Sequence, residues 1–82
     1  MFLCSYEAHN IGDSAVVKVV EYKNSVWHSE HKDKRIAVVA RDVLRKKGVV
    51  ASVFRVSGTY TQPGVGIVAF TRYEVRIAKE AV

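Results

Sequence analysis

The segment from Ser29 to Gly48 constrains the fold most, because its apolar residues repeat at the period of an α-helix. At steps of about 100° per residue, six of them fall on one continuous arc: Ile36, Ala37, Val39, Ala40, Val43 and Leu44. Three cations, Lys34, Arg41 and Arg45, fall on the opposite side. We therefore predict an amphipathic helix that buries this arc and exposes a cationic ridge, with Val38 at the surface beside it.

Both ends of this helix carry sequence signals. Ser29 and Asp33 are each suitable N-cap residues, because a side-chain oxygen can accept hydrogen bonds from the free N–H groups of the first turn. Gly48 follows three consecutive cations and suits the left-handed conformation that commonly ends a helix. The helix is therefore predicted to end at Gly48.

Four segments are rich in β-branched or alternating residues, which is typical of strands. They are Met1–Glu7, Ala15–Lys23, Val49–Ser57 and Gly66–Lys79. A short turn at residues 9–13 makes the first two the expected antiparallel partners, and residues 24–28 lead into the helix.

The last two strands are joined by residues 57–66, which hold three of the five glycines and the only proline. Pro63 and Gly64 fit the two central positions of a type II turn, so this segment is predicted to form a projecting hairpin. The order is β-β-α-β-β. We predict one α+β domain over residues 1–82, with one amphipathic helix packed on an antiparallel sheet.

Composition bears on assembly and location. A domain of 82 residues buries only about 60% of the surface that its unfolded chain exposes, and 49% of this chain is hydrophobic, so a homodimer is expected. The single cysteine, Cys4, cannot form an internal disulfide. The sequence shows neither a membrane span nor a signal peptide, which favours a cytoplasmic protein.

No motif for catalysis or cofactor binding stands out. The spacing of Cys4, His9, His28 and His31 does not match a standard zinc site, and no activated nucleophile is evident. The glycines of residues 57–66 precede a strand, so no helix N-terminus would receive a phosphate. We expect a binding protein that is not an enzyme and uses no metal or cofactor.

Positive charge is concentrated in the predicted helix. Residues 29–47 carry seven bases and three acids, a net charge of +4 out of +5 for the chain. Such a cluster is typical of a nucleic-acid-binding surface. The predicted contacts are on the helix and on the Gly-rich hairpin: Lys34, Arg35, Arg41, Arg45, Lys46, Arg55, Tyr60 and Arg72.

Protein binding is the alternative interpretation of the same surface. Exposed Val38 beside Arg41 and Arg45 is the mixture of small apolar and arginine side chains that protein interfaces favour. A homodimeric interaction or inhibitor domain that docks on an acidic protein would use it. The sequence does not distinguish DNA from RNA, nor either from a protein partner.

Overall fold

A computed structural model of the chain describes residues 4–12 and 20–79. Four antiparallel strands form one sheet in the order β1-β3-β4-β2, and one helix packs on it. The α+β fold and the β-β-α-β-β order are confirmed. The elements are β1 (Cys4–Ile11), a 3-10 turn (Tyr22–Asn24), β2 (Ser25–His31), α1 (Lys34–Lys46), β3 (Ala51–Gln62) and β4 (Gly66–Ala78).

The described end of the predicted second strand, residues 20–23, is not a strand. β2 lies at Ser25–His31, the segment that was expected only to lead into the helix, while Tyr22–Asn24 forms a 3-10 turn. Residues 15–19 of the predicted strand Ala15–Lys23 lie outside the described residues. Among the described strands, β1 pairs with β3 and β2 pairs with β4, and the predicted pairing of the first strand with residues 15–23 falls largely outside the described residues. β2 is an edge strand and is partly exposed to solvent, so it can contain many polar residues. A prediction based on valine content therefore overlooks it.

The ends of α1 match the capping signals. The Asp33 carboxylate accepts a hydrogen bond from the Arg35 amide at 2.9 Å, so Asp33 rather than Ser29 is the N-cap. Gly48 has φ +85°, and its amide donates to the Arg45 carbonyl at 3.0 Å. The Val49 amide donates to the Leu44 carbonyl at 3.0 Å, which completes a Schellman motif.

The rotation of α1 about its axis differs from the prediction. Ala37 and Arg41 are the buried residues, whereas Ile36, Val39 and Val43 of the predicted buried arc are exposed. The helix is thus turned by roughly a quarter of a turn relative to its apolar arc. Ala37 is small enough to bring the helix backbone close to the sheet, where it packs with Val53 and Val75.

The β3–β4 hairpin runs from the core into solvent. Its pairing is continuous from Ala51 and Ile77 to Gln62 and Gly66. The Val65 amide donates to the Gln62 carbonyl at 3.1 Å and Gly64 has φ +83°, as the predicted type II turn requires. We call residues 57–71 the arm, because α1 packs on the other end of the hairpin.

The two faces of the sheet are covered differently. On the helix side, Ile11 and Tyr73 pack against the core of Ala37, Val53 and Val75. On the opposite side, the ring of Tyr22 meets that of Phe54 edge-on, with centroids 5.4 Å apart. Each face is therefore closed near the base of the sheet, the end that carries α1, and the arm extends beyond this cover.

Candidate docking surface on the helix

Two of the predicted contact residues are structural. The Arg41 side chain is only 10% exposed, and its Nη1 donates to the Ile11 carbonyl at 3.2 Å. Its Nε also lies 3.2 Å from the Asp42 carboxylate. Arg45 is half-buried and its Nε donates to the Ala51 carbonyl at 2.9 Å. The expected solvent-facing ridge is therefore wrong, since these guanidinium groups join the helix to the end of β1 and the start of β3.

Other predicted contacts lie on the surface of the helix side. Lys34, Arg35 and Lys46 are exposed on α1. Arg55 is exposed on β3 and shares a sheet face with Val53, because residues two apart in a strand point the same way. These four cations are the part of the predicted nucleic-acid surface that reaches solvent on one face.

Tyr60 and Arg72 lie on the opposite face. Arg72 pairs in register with Val56, and its Nε lies 3.0 Å from Glu30 and 3.1 Å from Glu74. Its guanidinium also stacks 5.3 Å from the centroid of Phe70, whose ring packs 6.2 Å from that of Tyr60. The structure thus divides the predicted site, with Tyr60 and Arg72 separated from the helix cations by the sheet.

Sequence reasoning missed the outer face of α1. Ile36, Val39 and Val43 are 55%, 60% and 46% exposed and occupy positions i, i+3 and i+7 of one helix side. We call these three residues the aliphatic stripe. The sequence did contain a signal for this exposed stripe. The apolar arc covers almost half of the helix circumference, which is wider than the face that a small sheet can bury.

Cations border the aliphatic stripe. Arg35 and Lys46 lie on one flank at helical positions next to Val39, and Lys32 and Lys47 lie beyond its two ends. All four are exposed. Asp33 is occupied as the N-cap and Asp42 lies against Arg41, so the border is positively charged overall.

An apolar cleft opens near the C-terminal end of the helix. Its volume is about 410 Å³, and its walls come from the loop after α1 and the adjoining ends of β2 and β4. Every side chain in it is aliphatic: Val26, Val49, Val50, Ile77 and Ala78, with Gly48 completing the wall. A cleft of this size accommodates one or two apolar side chains of a partner.

The ionisable groups of the opposite face serve the fold. Glu74 is buried between Arg72 and Arg76, and Arg76 also bonds Ser25 through the hydroxyl at 2.6 Å and the carbonyl at 2.7 Å. Burial raises the pKa of Tyr22, and the Glu74 carboxylate raises it further. This network neutralises its own charges and presents no free acid or base to a ligand.

The three histidines do not form one cluster. His9 lies on β1 and contacts Glu7, whereas His28 and His31 lie on β2, at the opposite edge of the sheet, and share the Ser29 hydroxyl. Within the described ranges, no three His, Cys, Asp or Glu residues are grouped as metal ligands. No helix in those ranges is long and apolar enough to cross a membrane.

The chain was compared with protein-family models, curated proteins and solved structures, and none matches. Its function is therefore inferred from its own surfaces. The aliphatic stripe, its cationic border and the neighbouring cleft are features of the helix side that the fold does not explain.

Proposed function

We propose that this domain is a protein-interaction module that docks through the outer face of α1. Its partner presents an apolar groove bordered by acidic side chains. The aliphatic stripe carries this proposal, because Ile36, Val39 and Val43 are exposed together at the spacing by which an amphipathic helix enters a groove. Exposed apolar groups bordered by polar residues are typical of interaction sites.

The expected free energies of side-chain burial and of ion pairing favour a protein over a polyanion as the main partner. Full burial of a valine or isoleucine side chain contributes about 1.5–3 kcal/mol, whereas an exposed ion pair contributes about 0.2–1 kcal/mol. A phosphate backbone would leave the stripe in water. A groove would bury it, and acidic residues at its border would steer the approach of Arg35 and Lys46.

Charge also favours a different protein over a second copy at this surface. Antiparallel pairing of two helices, with Ile36 against Val43, brings Lys32 of one copy close to Lys47 of the other. Parallel pairing places Arg35 against Arg35 and Lys46 against Lys46. Either arrangement places like charges opposite each other, whereas an acidic partner would place opposite charges there.

Nucleic-acid binding remains a second candidate, supported by the exposed cations on the helix side. Lys34, Arg35, Lys46 and Arg55 would contact phosphates without base recognition. Tyr60 and Arg72 would not join them, because they lie on the other face. The domain would then bind with little sequence preference and with strong dependence on salt.

Affinity capture with matched variants tests the proposal. Val39→Asp places a charge in the aliphatic stripe, and Val65→Asp makes the same change at the arm tip, where Val65 is 67% exposed. Each immobilised variant is incubated with nuclease-treated extract of the source cells. A captured protein is then purified and titrated against all three forms of the domain.

The proposal expects an acidic protein whose affinity falls at least tenfold with Val39→Asp and stays unchanged with Val65→Asp. Such a loss corresponds to about 1.4 kcal/mol, less than the burial of one valine contributes. Equal affinities for both variants would reject α1 as the docking surface. Retention of nucleic acid alone, from a parallel extract that is not nuclease-treated, would support the second candidate instead.

A further inference from the structure

One side of the arm has no strand partner among the described residues. On β3, residues 57–60 pair with β1, so this edge is occupied almost to the turn. On β4, β2 pairs only with Tyr73–Ala78. No described strand pairs with residues 66–72 on the side away from β3. Within the described residues, alternate residues of this seven-residue stretch of β4 thus have unpaired backbone N–H and C=O groups, which is the usual template for addition of another strand.

The arm lacks the residues that normally protect an open edge. No charged residue occurs from Val56 to Thr71, in a chain that is 26% charged. The only proline, Pro63, lies in the turn and leaves the amides of residues 66–72 intact. Ile67 is 77% exposed, and Val68 and Phe70 are half-buried. Natural proteins commonly place lysine, proline or bulges at such edges to prevent pairing.

We propose that the open edge of β4 pairs antiparallel with the same edge of a second copy, which joins two sheets across a twofold axis. With Ala69 at the axis, Ala69 lies opposite the partner subunit's Ala69. Val68 lies opposite the partner subunit's Phe70. Aromatic and β-branched residues directly across an antiparallel pair stabilise it, and their Cβ atoms lie about 5 Å apart.

The lack of charge on the arm and the self-complementary register together favour a second copy as the occupant. Each chain carries a net charge of +5, so two copies repel over most of their surfaces. The arm is where two copies approach without opposing any charged side chains, because Arg72 lies opposite the partner subunit's Gly66 in this register. An isologous contact of this kind needs a self-complementary strand, and the sequence from Gly66 to Arg72 meets that condition.

The test is sedimentation velocity over a range of concentrations, with charges placed at the axis. Ala69 is exposed, so Ala69→Lys and Ala69→Glu leave the fold intact, which circular dichroism verifies. The same changes at Thr61, an exposed residue of the same arm face on β3, are the matched controls. The two Ala69 variants are also mixed in equal amounts.

We expect the wild-type chain and both Thr61 variants to dimerise. Each Ala69 variant alone should have a dissociation constant raised about fivefold or more, because like charges face each other. The equimolar mixture of the two should return to wild-type affinity or tighter. A monomeric wild type, or a mixture no tighter than the single variants, would overturn this pairing.

This inference is independent of the docking function. Val39→Asp should leave the dimer unchanged, because the aliphatic stripe and the open edge belong to different elements. Dimer loss with Val39→Asp and none with the Ala69 variants would reject the β4 contact and assign self-association to α1.

Discussion

The base of the sheet and the arm are built from the same two strands, β3 and β4. Side chains at the base are mostly buried, whereas those of the arm are mostly exposed. At the base, Ala51, Val53 and Val75 are completely buried under the helix. In the arm, Val65 and Ile67 are 67% and 77% exposed. The difference arises because α1 packs on one face of the base and the segment around Tyr22 packs on its other face, whereas neither covers the arm. Strand pairing alone does not remove side chains from water.

The charged residues are also distributed unequally between the base and the arm. The base holds buried Glu74 with Arg72 and Arg76, while the arm, residues 57–71, has no charged residue. The base satisfies its polar groups internally. The arm and the outer face of α1 instead present apolar groups to solvent, and both of our proposals concern these two regions.

The largest expected effect concerns the buried carboxylate of the base. Glu74→Gln removes the negative charge between Arg72 and Arg76 and should lower the free energy of unfolding by about 3 kcal/mol. Glu7→Gln is the matched change at an 81% exposed position beside the arm, and should stay within about 0.5 kcal/mol. Urea denaturation measures both. Similar losses would show that the base network is not the source of the difference.

A second contrast lies within α1, between its inner and outer cations. Arg41→Ala removes the hydrogen bond to the Ile11 carbonyl and the packed aliphatic stem, and should cost about 2 kcal/mol. Lys46→Ala, on the exposed side, should cost less than about 0.5 kcal/mol.

Thermal and urea unfolding of these two α1 variants distinguish the cations. Equal stability would contradict the structural role of Arg41. A loss of stability would also mean that substitution of Arg41 cannot serve as a clean test of binding.

The sequence predicted the parts of the fold that local interactions decide. Asp33 and Gly48 set the ends of α1, and Pro63–Gly64 set the turn of the hairpin, because each signal acts through backbone groups within a few residues. Tertiary contacts decided the rest. The rotation of α1 depends on Ala37 fitting closely over Val53 and on Arg41 reaching a strand end, which helical periodicity does not reveal.

The candidate site was predicted only in part for the same reason. Lys34, Arg35 and Lys46 reach solvent as predicted, whereas Arg55, predicted as a hairpin contact with Tyr60 and Arg72, lies on the helix side of the sheet. The aliphatic stripe was assigned to the core, since an apolar arc is ordinarily buried. Tyr60 and Arg72 were grouped with the helix cations because strand register, which separates the faces, cannot be read from charge.

The smallest expected effect is a pH dependence at the base. Because burial and the Glu74 carboxylate raise the pKa of Tyr22 above its ordinary value of 10.0, the folded state favours the protonated phenol. This stability is fully present below pH 10 and declines as pH rises through the folded-state pKa. The free energy of unfolding of the wild type should therefore fall more steeply above pH 10 than that of Tyr22→Phe. Parallel curves would contradict a raised pKa.

The most direct test of the docking surface is photocrosslinking in the source cells. A photoreactive residue replaces Val39 in the aliphatic stripe in one variant and Val65 at the arm tip in another, both being well exposed. The adducts are identified by mass spectrometry. We predict that position 39 crosslinks to one acidic protein and that position 65 does not. Adducts of position 39 with nucleic acid or with a second copy of the chain, or the same adducts from both positions, would contradict the proposed docking function.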